Sequence, residues 1–264
     1  MFGLKTAVFC GPMKSGTTWV HAYLQARGDV CLPARTKEIF YFDRYYTRGP
    51  AWYEGQFRPQ PQHRMLVDVA PSILAQPHAP VRVAETLPEA RVIILRRDPV
   101  ARAWSHYLHL KRYGYTAAPL AEAIEAHPAI IEASQVERWL ARWRAALGED
   151  RVSLLDASLL SRDAQAFARA VDALLGLPES PVDASRIGRI NGAAVPRHYL
   201  ISKLARKISY GLRDIGLDGL VQAARDRGWN RIYARRSGAA PPPAASEADK
   251  DLIRSKLMEA REPV

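Results

Sequence analysis

The sequence predicts an α/β fold with a central, mainly parallel sheet flanked by helices in three layers, and three observations predict it. Short apolar runs of strand character alternate along the chain with longer stretches of helical periodicity. Two of these runs, ending at Cys10 and Leu95, pass through a few loop residues directly into a helical stretch. The 264 residues, 48% hydrophobic and 25% charged, are enough for one sizeable core.

Residues 5–10 form the first predicted strand, which breaks at Gly11-Pro12. A short loop, Met13-Lys14-Ser15-Gly16, leads into a helix over 17–26 that carries Trp19, Val20, Tyr23 and Leu24 inward. The combination is suited to an anion. Gly16 lets the backbone turn close to a ligand, Ser15, Thr17 and Thr18 bring hydroxyls, and Lys14 brings a full positive charge. The first N–H groups of the new helix have no partner within it and point into the loop. The loop is not a Walker A motif, because Lys14 precedes Gly16 where that motif has its lysine after the glycine.

Gly28 and Asp29 end the first helix, and residues 30–32 read as a short second strand. Lys37-Glu38-Ile39-Phe40-Tyr41-Phe42-Asp43-Arg44 follows, an aromatic segment flanked by ionisable residues. It reads as a loop lining a pocket, with Phe40 and Phe42 packed inward. Residues 45–64 read as a loop with one short helix, 65–70 as a third strand, 81–87 as a helix and 91–95 as a fourth strand. At the end of that strand Asp98 suits an N-cap and Pro99 a first helical turn, so Arg97 stands at a strand end and Ser105 two turns into the next helix. In open α/β sheets ligands bind outside the carboxyl ends of the strands, where the loop around Lys14 also lies. Residues 136–147 and 164–175 read as amphipathic helices whose aromatics are core, and 198–220 as one or two more. A Pro/Ala-rich spacer over 238–246 precedes a charged helix in 247–264.

The charge balance narrows the partners. A net charge of +11 calls for an anion: nucleic acid, a membrane surface or a polyanionic cofactor. The basic residues are spread along the chain, with no basic arm, zinc-finger spacing or aromatic-basic RNA-binding strand, which sets nucleic acid behind the cofactor. No apolar run is long enough to span a bilayer and no leader precedes the first strand, so a cytoplasmic protein is expected. Cys10 and Cys31 lack metal-ligand spacing and read as buried free thiols. The histidines, among them His21, His106 and His198, read as structural or surface residues.

The loop at Lys14-Ser15-Gly16-Thr17-Thr18-Trp19 resembles the 5′-phosphosulfate loop of the sulfotransferases that use 3′-phosphoadenosine 5′-phosphosulfate (PAPS), with Met13 inserted between proline and lysine. Arg97 and Ser105, eight positions on, resemble that family's 3′-phosphate motif. The segment Lys37 to Arg44 is similar to the Lys-Glu-x-x-Phe-Phe-Asp segment of the heparan-sulfate type branch, where the glutamate is the proposed base. The resemblance continues through residues 148–155, a fifth strand, and 173–178, and covers about residues 5–200. Two departures stand out. Val69 replaces a lysine that lies near the acceptor in that branch, which argues for a less acidic acceptor than heparan. The family's Lys-Gly-Arg-Thr-His cofactor loop is absent as such, and Arg197 takes its place.

The resemblance implies a P-loop-like fold with a five-stranded sheet, and a sulfotransferase domain over 1–237. It further implies PAPS as cofactor, adenosine 3′,5′-bisphosphate (PAP) as product, and a hydroxyl-bearing acceptor such as a sugar, lipid or small molecule. Glu38 is then the base, and Lys14 neutralises charge on the leaving phosphate. Lys14, Ser15, Gly16, Thr17, Thr18, Arg97, Ser105 and Arg197 hold the cofactor, with no metal and no nucleic acid. Two other readings stand beside it. A nucleotide kinase or NTPase of related fold would use Ser15 and Asp68 for Mg²⁺, and a basic anion-binding protein would have no catalysis.

Overall fold

A computed structural model describes residues 3–187 and 243–260, with short pieces between them. Along the chain run β1 (Lys5–Phe9), α1 (Thr17–Arg27), β2 (Val30–Cys31), α2 (Gly49–Glu54), β3 (Met65–Val69), α3 (Ala79–Thr86) and β4 (Arg91–Arg96). There follow α4 (Pro99–Arg112), α5 (Leu120–Ala126), α6 (Ala129–Glu132), α7 (Val136–Leu147), β5 (Val152–Asp156), α8 (Ser158–Arg162), α9 (Ala164–Leu175) and a last helix, Glu247–Glu259. The chain divides into two compact units, Met1–Pro99 with Ala133–Ile190 and Val100–Glu132 with Asn191–Val264. Arg197, most of the stretch 198–220 and part of the spacer 238–246 lie outside the described residues.

The first unit holds the sheet. Its five strands lie in the order β2-β3-β1-β4-β5, and every pairing is parallel. Both faces are covered, which accounts for the nearly unbroken apolar runs in these strands. Because side chains alternate along a strand, Val8 and Cys10 pack with Leu66, Val92 and Ile94 on one face, against Trp139 and Trp143 of α7. Ala7 and Phe9 pack with Val67, Val69, Ile93 and Leu95 on the other, against Trp19, Val20, Tyr23 and Leu24 of α1 and Phe167 and Val171 of α9. Each of the largest of these side chains contributes about 1.5–3 kcal/mol by leaving water.

The helix faces follow from their sequences. Gly28, at φ 75°, ends α1 in the left-handed conformation that glycine adopts without a Cβ clash. α3 starts two residues before the sequence reading because Pro80 suits its first turn. Asp163 caps α9 by accepting from the Ala166 N–H at 2.9 Å. The two helices under the sheet are locked together by charge: Arg27 pairs with Asp172 at 2.6 Å, each side chain 3% exposed, and the Tyr23 hydroxyl donates to the same carboxylate at 2.7 Å. Breaking such a buried pair costs ~3–5 kcal/mol because the remaining charge stays in the interior.

On the opposite face the segment after β2 is pinned by aromatic contacts. Tyr41 stacks on Tyr53 of α2 with ring centroids 4.7 Å apart, and Phe42 meets Tyr41 edge-on at 5.1 Å. Arg82 of α3 donates to the Phe42 carbonyl at 2.9 Å and lies over the Tyr46 ring. The sequence reading is corrected at one residue here. Phe40 is not packed inward; it is half-buried at φ 56°, and Ile39, Tyr41 and Phe42 are the buried residues. The left-handed turn at Phe40 rotates its side chain away from the core that its neighbours enter.

The second unit is a helical cluster. Ala103, Tyr107 and Leu110 of α4 pack with Leu120, Ala123 and Ile124 of α5, Ile130 of α6, and Ile253 and Leu257 of the last helix. Arg102 is buried there, donating to the carbonyls of Ala129 and Ile130 and lying 3.3 Å from His106 Nδ1. The last helix begins with a capping box in which Ser246 and Asp249 satisfy each other's backbone.

Candidate active site

The loop between β1 and α1 sits at the carboxyl end of the sheet, where the chain order reverses from β3 on one side of β1 to β4 on the other. Backbone bonds hold its entry: the Cys10 N–H donates to the Ile93 carbonyl at 3.1 Å and the Leu95 N–H to the Gly11 carbonyl at 2.8 Å. Gly11, at φ 80° and before a cis Pro12, could not be another residue, since a Cβ there would lie 2.4 Å from the Pro71 carbonyl oxygen. Gly16, at φ 91°, is the N-cap of α1, and its carbonyl accepts from the N–H groups of Trp19 and Val20. The turn therefore closes on itself and aims the helix N-terminus into the loop.

Inside this cradle Lys14 takes φ 74°, a left-handed conformation unusual for a residue with a Cβ. Its carbonyl is held by Arg97, whose Nη1 donates at 2.7 Å from the residue just after β4. Ser15 is 1% exposed and its hydroxyl oxygen has no hydrogen-bond partner among the described residues. A buried hydroxyl left in that state costs ~1–3 kcal/mol, so its placement points to a bound group that would satisfy it. Thr17 is buried and Thr18 half-buried in the first turn of the helix.

Glu38 is joined to this cradle by its neighbour. Lys37 Nζ donates to the Thr18 hydroxyl oxygen at 3.1 Å and to Glu38 Oε1 at 3.2 Å, and both charged side chains are about a quarter exposed. Beneath the segment lies Asp68 of β3, 2% exposed, with one carboxylate oxygen accepting from the Tyr53 hydroxyl at 3.1 Å and the other buried without a partner among the described residues. Burial pushes the Asp68 carboxyl up to about 7; the Tyr53 hydrogen bond opposes the rise and the charges of Glu38 and Asp43 add to it. His21 of α1 is lowered to about 4, by burial first and by the Lys37 charge second.

The structure thus brings Lys14, Ser15, Gly16, Thr17, Thr18, Arg97 and Glu38 to one end of the first unit. Ser105 stands half-buried on α4, in the second unit, and Arg197 is outside the described residues. Val69 gains a different meaning. It is fully buried with Trp19 and Phe167, on the face of β3 opposite Asp68, so it belongs to the core and says nothing of the acceptor's charge. The sulfotransferase reading of the sequence gives no site role to Lys37 or Asp68, the latter entering only as a Mg²⁺ ligand in the kinase alternative, although Lys37 stands beside the glutamate and Asp68 is an acidic residue in an otherwise apolar strand.

The sequence profile of the Sulfotransferase family matches residues 43–181, just over half of the chain. The chain belongs to the sulfotransferase family. The match begins after Glu38, so the anion loop and the Lys37-Glu38 pair are additional to it. Among relatives, the membrane-associated sulfotransferase kil1 of Dictyostelium discoideum is 35% identical over 107 residues, 39% of this chain and 22% of that protein. Heparan sulfate glucosamine 3-O-sulfotransferase 6 of Mus musculus is 34% identical over 101 residues, 38% of this chain and 29% of that protein. The matches thus span less than a third of these relatives' length. A sulfotransferase of Alicyclobacillus acidocaldarius has the same fold, with a TM-score of 0.60 at 20% identity over 83% of this chain and 95% of that one. The parallel five-stranded sheet flanked by helices is the P-loop-like architecture of the family.

Proposed function

We propose that this sulfotransferase-family chain transfers a sulfuryl group from PAPS to an acceptor hydroxyl or amine, with Glu38 as the general base. The observation that carries the reading is the cradle itself: the Ser15 hydroxyl, buried and without a partner among the described residues, between Lys14 and the N-terminus of α1. These donors fit a phosphosulfate, whose oxygens are acceptors only. Lys14, Ser15, Thr17, Thr18 and the opening N–H groups of α1 would hold the 5′ end, and Arg97 the 3′-phosphate. When bound, PAPS supplies the sulfuryl group, its sulfur bonding to the acceptor oxygen as the sulfur–oxygen bond to the 5′-phosphate breaks and leaves its electron pair on the phosphate.

The chain's own work is positioning and charge. Glu38 would take the acceptor's proton onto a carboxylate oxygen, for which it needs hydrogen-bond reach of the acceptor. Lys14 and the dipole of α1 would stabilise the negative charge that grows at the phosphate end. In-line transfer through a loose, charge-spread arrangement asks for alignment above all, and the bonds from Arg97 to Lys14 and from Lys37 to Glu38 restrict both ends. Sugars, lipids and small hydroxyl compounds are the acceptor classes proposed, heparan sulfate among the sugars because a similar protein is a heparan sulfate glucosamine 3-O-sulfotransferase.

The test is transfer of radiolabelled sulfate from PAPS to a panel of neutral and acidic hydroxyl acceptors. Labelled product with release of PAP supports the reading; no transfer to any class, with PAP bound normally, would leave a nucleotide-binding protein without this activity.

A further inference from the structure

We infer that Lys37 is the cation that meets the transferring sulfuryl group between the loop and the base, a role separate from that of Lys14. The inference rests on the sulfotransferase reading above. One ammonium touches both ends of the path: Lys37 Nζ is 3.1 Å from Thr18 Oγ1, in the first turn of the anion-holding helix, and 3.2 Å from Glu38 Oε1. In that reading the sulfuryl group leaves the loop and arrives at the oxygen whose proton Glu38 takes, so a group in contact with both stands alongside its route. With 26% of its side chain exposed, Lys37 is only partly screened by water.

The charges around it change in a useful order. Lys37 is paired with the Glu38 carboxylate at rest. When Glu38 accepts the acceptor's proton its carboxyl becomes neutral, and the ammonium loses its anionic partner as charge spreads over the sulfuryl oxygens. The cation is thereby freed for those oxygens when they need it. His21, half-buried, feeling the Lys37 charge and lowered to about 4, is neutral at ordinary pH and does not compete as a cation. A lysine suits this better than an arginine would suit a fixed carboxylate clamp, because its three donors rotate about one point charge.

The test is calorimetry without acceptor, comparing PAPS with PAP for wild type, Lys37→Met and Lys37→Arg. PAP lacks the sulfuryl group, so a residue that meets that group changes PAPS affinity alone. Lys37→Met should weaken PAPS by about tenfold, the loss of one charge-assisted contact, and leave PAP unchanged. Lys37→Arg, which keeps the charge, should recover most of the loss, and turnover should fall in kcat more than in the acceptor's KM for the methionine variant. Unchanged PAPS affinity, or equal weakening of PAPS and PAP, would overturn the inference and leave Lys37 as a support of the loop. Wild type that binds neither nucleotide would overturn the reading beneath it instead.

Discussion

The Arg97 guanidinium donates a 2.7 Å hydrogen bond to the carbonyl of Lys14, tying the end of β4 to the loop that follows β1. That contact gives Arg97 two duties in the proposed site, support of the loop through the Lys14 carbonyl and the proposed grip on the 3′-phosphate. Arg97→Ala should weaken both PAP and adenosine 5′-phosphate through a looser loop, and PAP by at least about tenfold more because only PAP carries the 3′-phosphate. Titrations with the two nucleotides separate the duties. Equal losses would make Arg97 a support for Lys14 and nothing more.

Lys14 can be tested without confusing charge with backbone strain. It adopts φ 74°, which costs a residue with a Cβ about 1 kcal/mol or more and costs glycine little. Lys14→Gly should therefore fold at least as stably as wild type, while turnover at saturating PAPS falls ~10²-fold or more through loss of one electrostatic donor. Lys14→Ala should lose the same activity and be less stable than the glycine variant. Thermal unfolding beside steady-state kinetics reads both, and near-normal turnover in Lys14→Gly would remove Lys14 from the site.

Glu38→Gln keeps the side chain's shape and its acceptance of the Lys37 hydrogen bond through the amide oxygen, but loses the capacity to take a proton. PAP binding should survive and transfer should fall by ~10²–10⁴-fold. His21→Asn is the matched control, because His21 feels the Lys37 charge. If the histidine variant is inactive and Glu38→Gln turns over normally, the base has been misassigned.

Stability should carry the mark of Asp68. Its carboxyl stands at about 7 in the fold against an ordinary 3.8, so between those values the folded state holds a proton that the unfolded chain has released. The Asp68 contribution to stability is therefore greatest below pH 4 and is lost as pH rises toward 7. His21, at about 4 against 6.5, works in the other direction: its contribution is lost as pH falls through that window. Asp68→Asn removes only the first effect. Denaturant titrations should show the variant gaining on wild type as pH rises from 4 to 7, and a constant difference would mean that Asp68 is ionised in the fold throughout.

Much of the architecture was legible because the residues that define it act locally. The glycines at 11 and 16, the lysine between them and the apolar run before them announce a strand, an anion loop and a helix whatever the rest of the chain does. Val136, Trp139, Trp143 and Leu147 announce the buried stripe of α7 in the same way. What escaped depended on side chains meeting across the fold. Arg97 reaching the Lys14 carbonyl has no sequence signature, since any residue offers a carbonyl. Lys37 reads as the neighbour of Glu38, yet its contact with Thr18 arises only when the segment folds back over α1. Asp68 and Val69 are adjacent in sequence but face opposite layers of the sheet, which places the acidic residue near Glu38 and the valine in the core.

The central claim is that the cradle of Lys14, Ser15 and the α1 N-terminus, with Arg97 beside it, is made for a 3′-phosphorylated adenine nucleotide. Calorimetry with PAP, and separately with ATP plus Mg²⁺, tests it on the wild-type chain. The account predicts saturable PAP binding and ATP·Mg²⁺ binding at least about tenfold weaker, because only PAP offers Arg97 a 3′-phosphate. Tight ATP·Mg²⁺ binding with no measurable affinity for PAP would contradict it and return the site to the kinase reading.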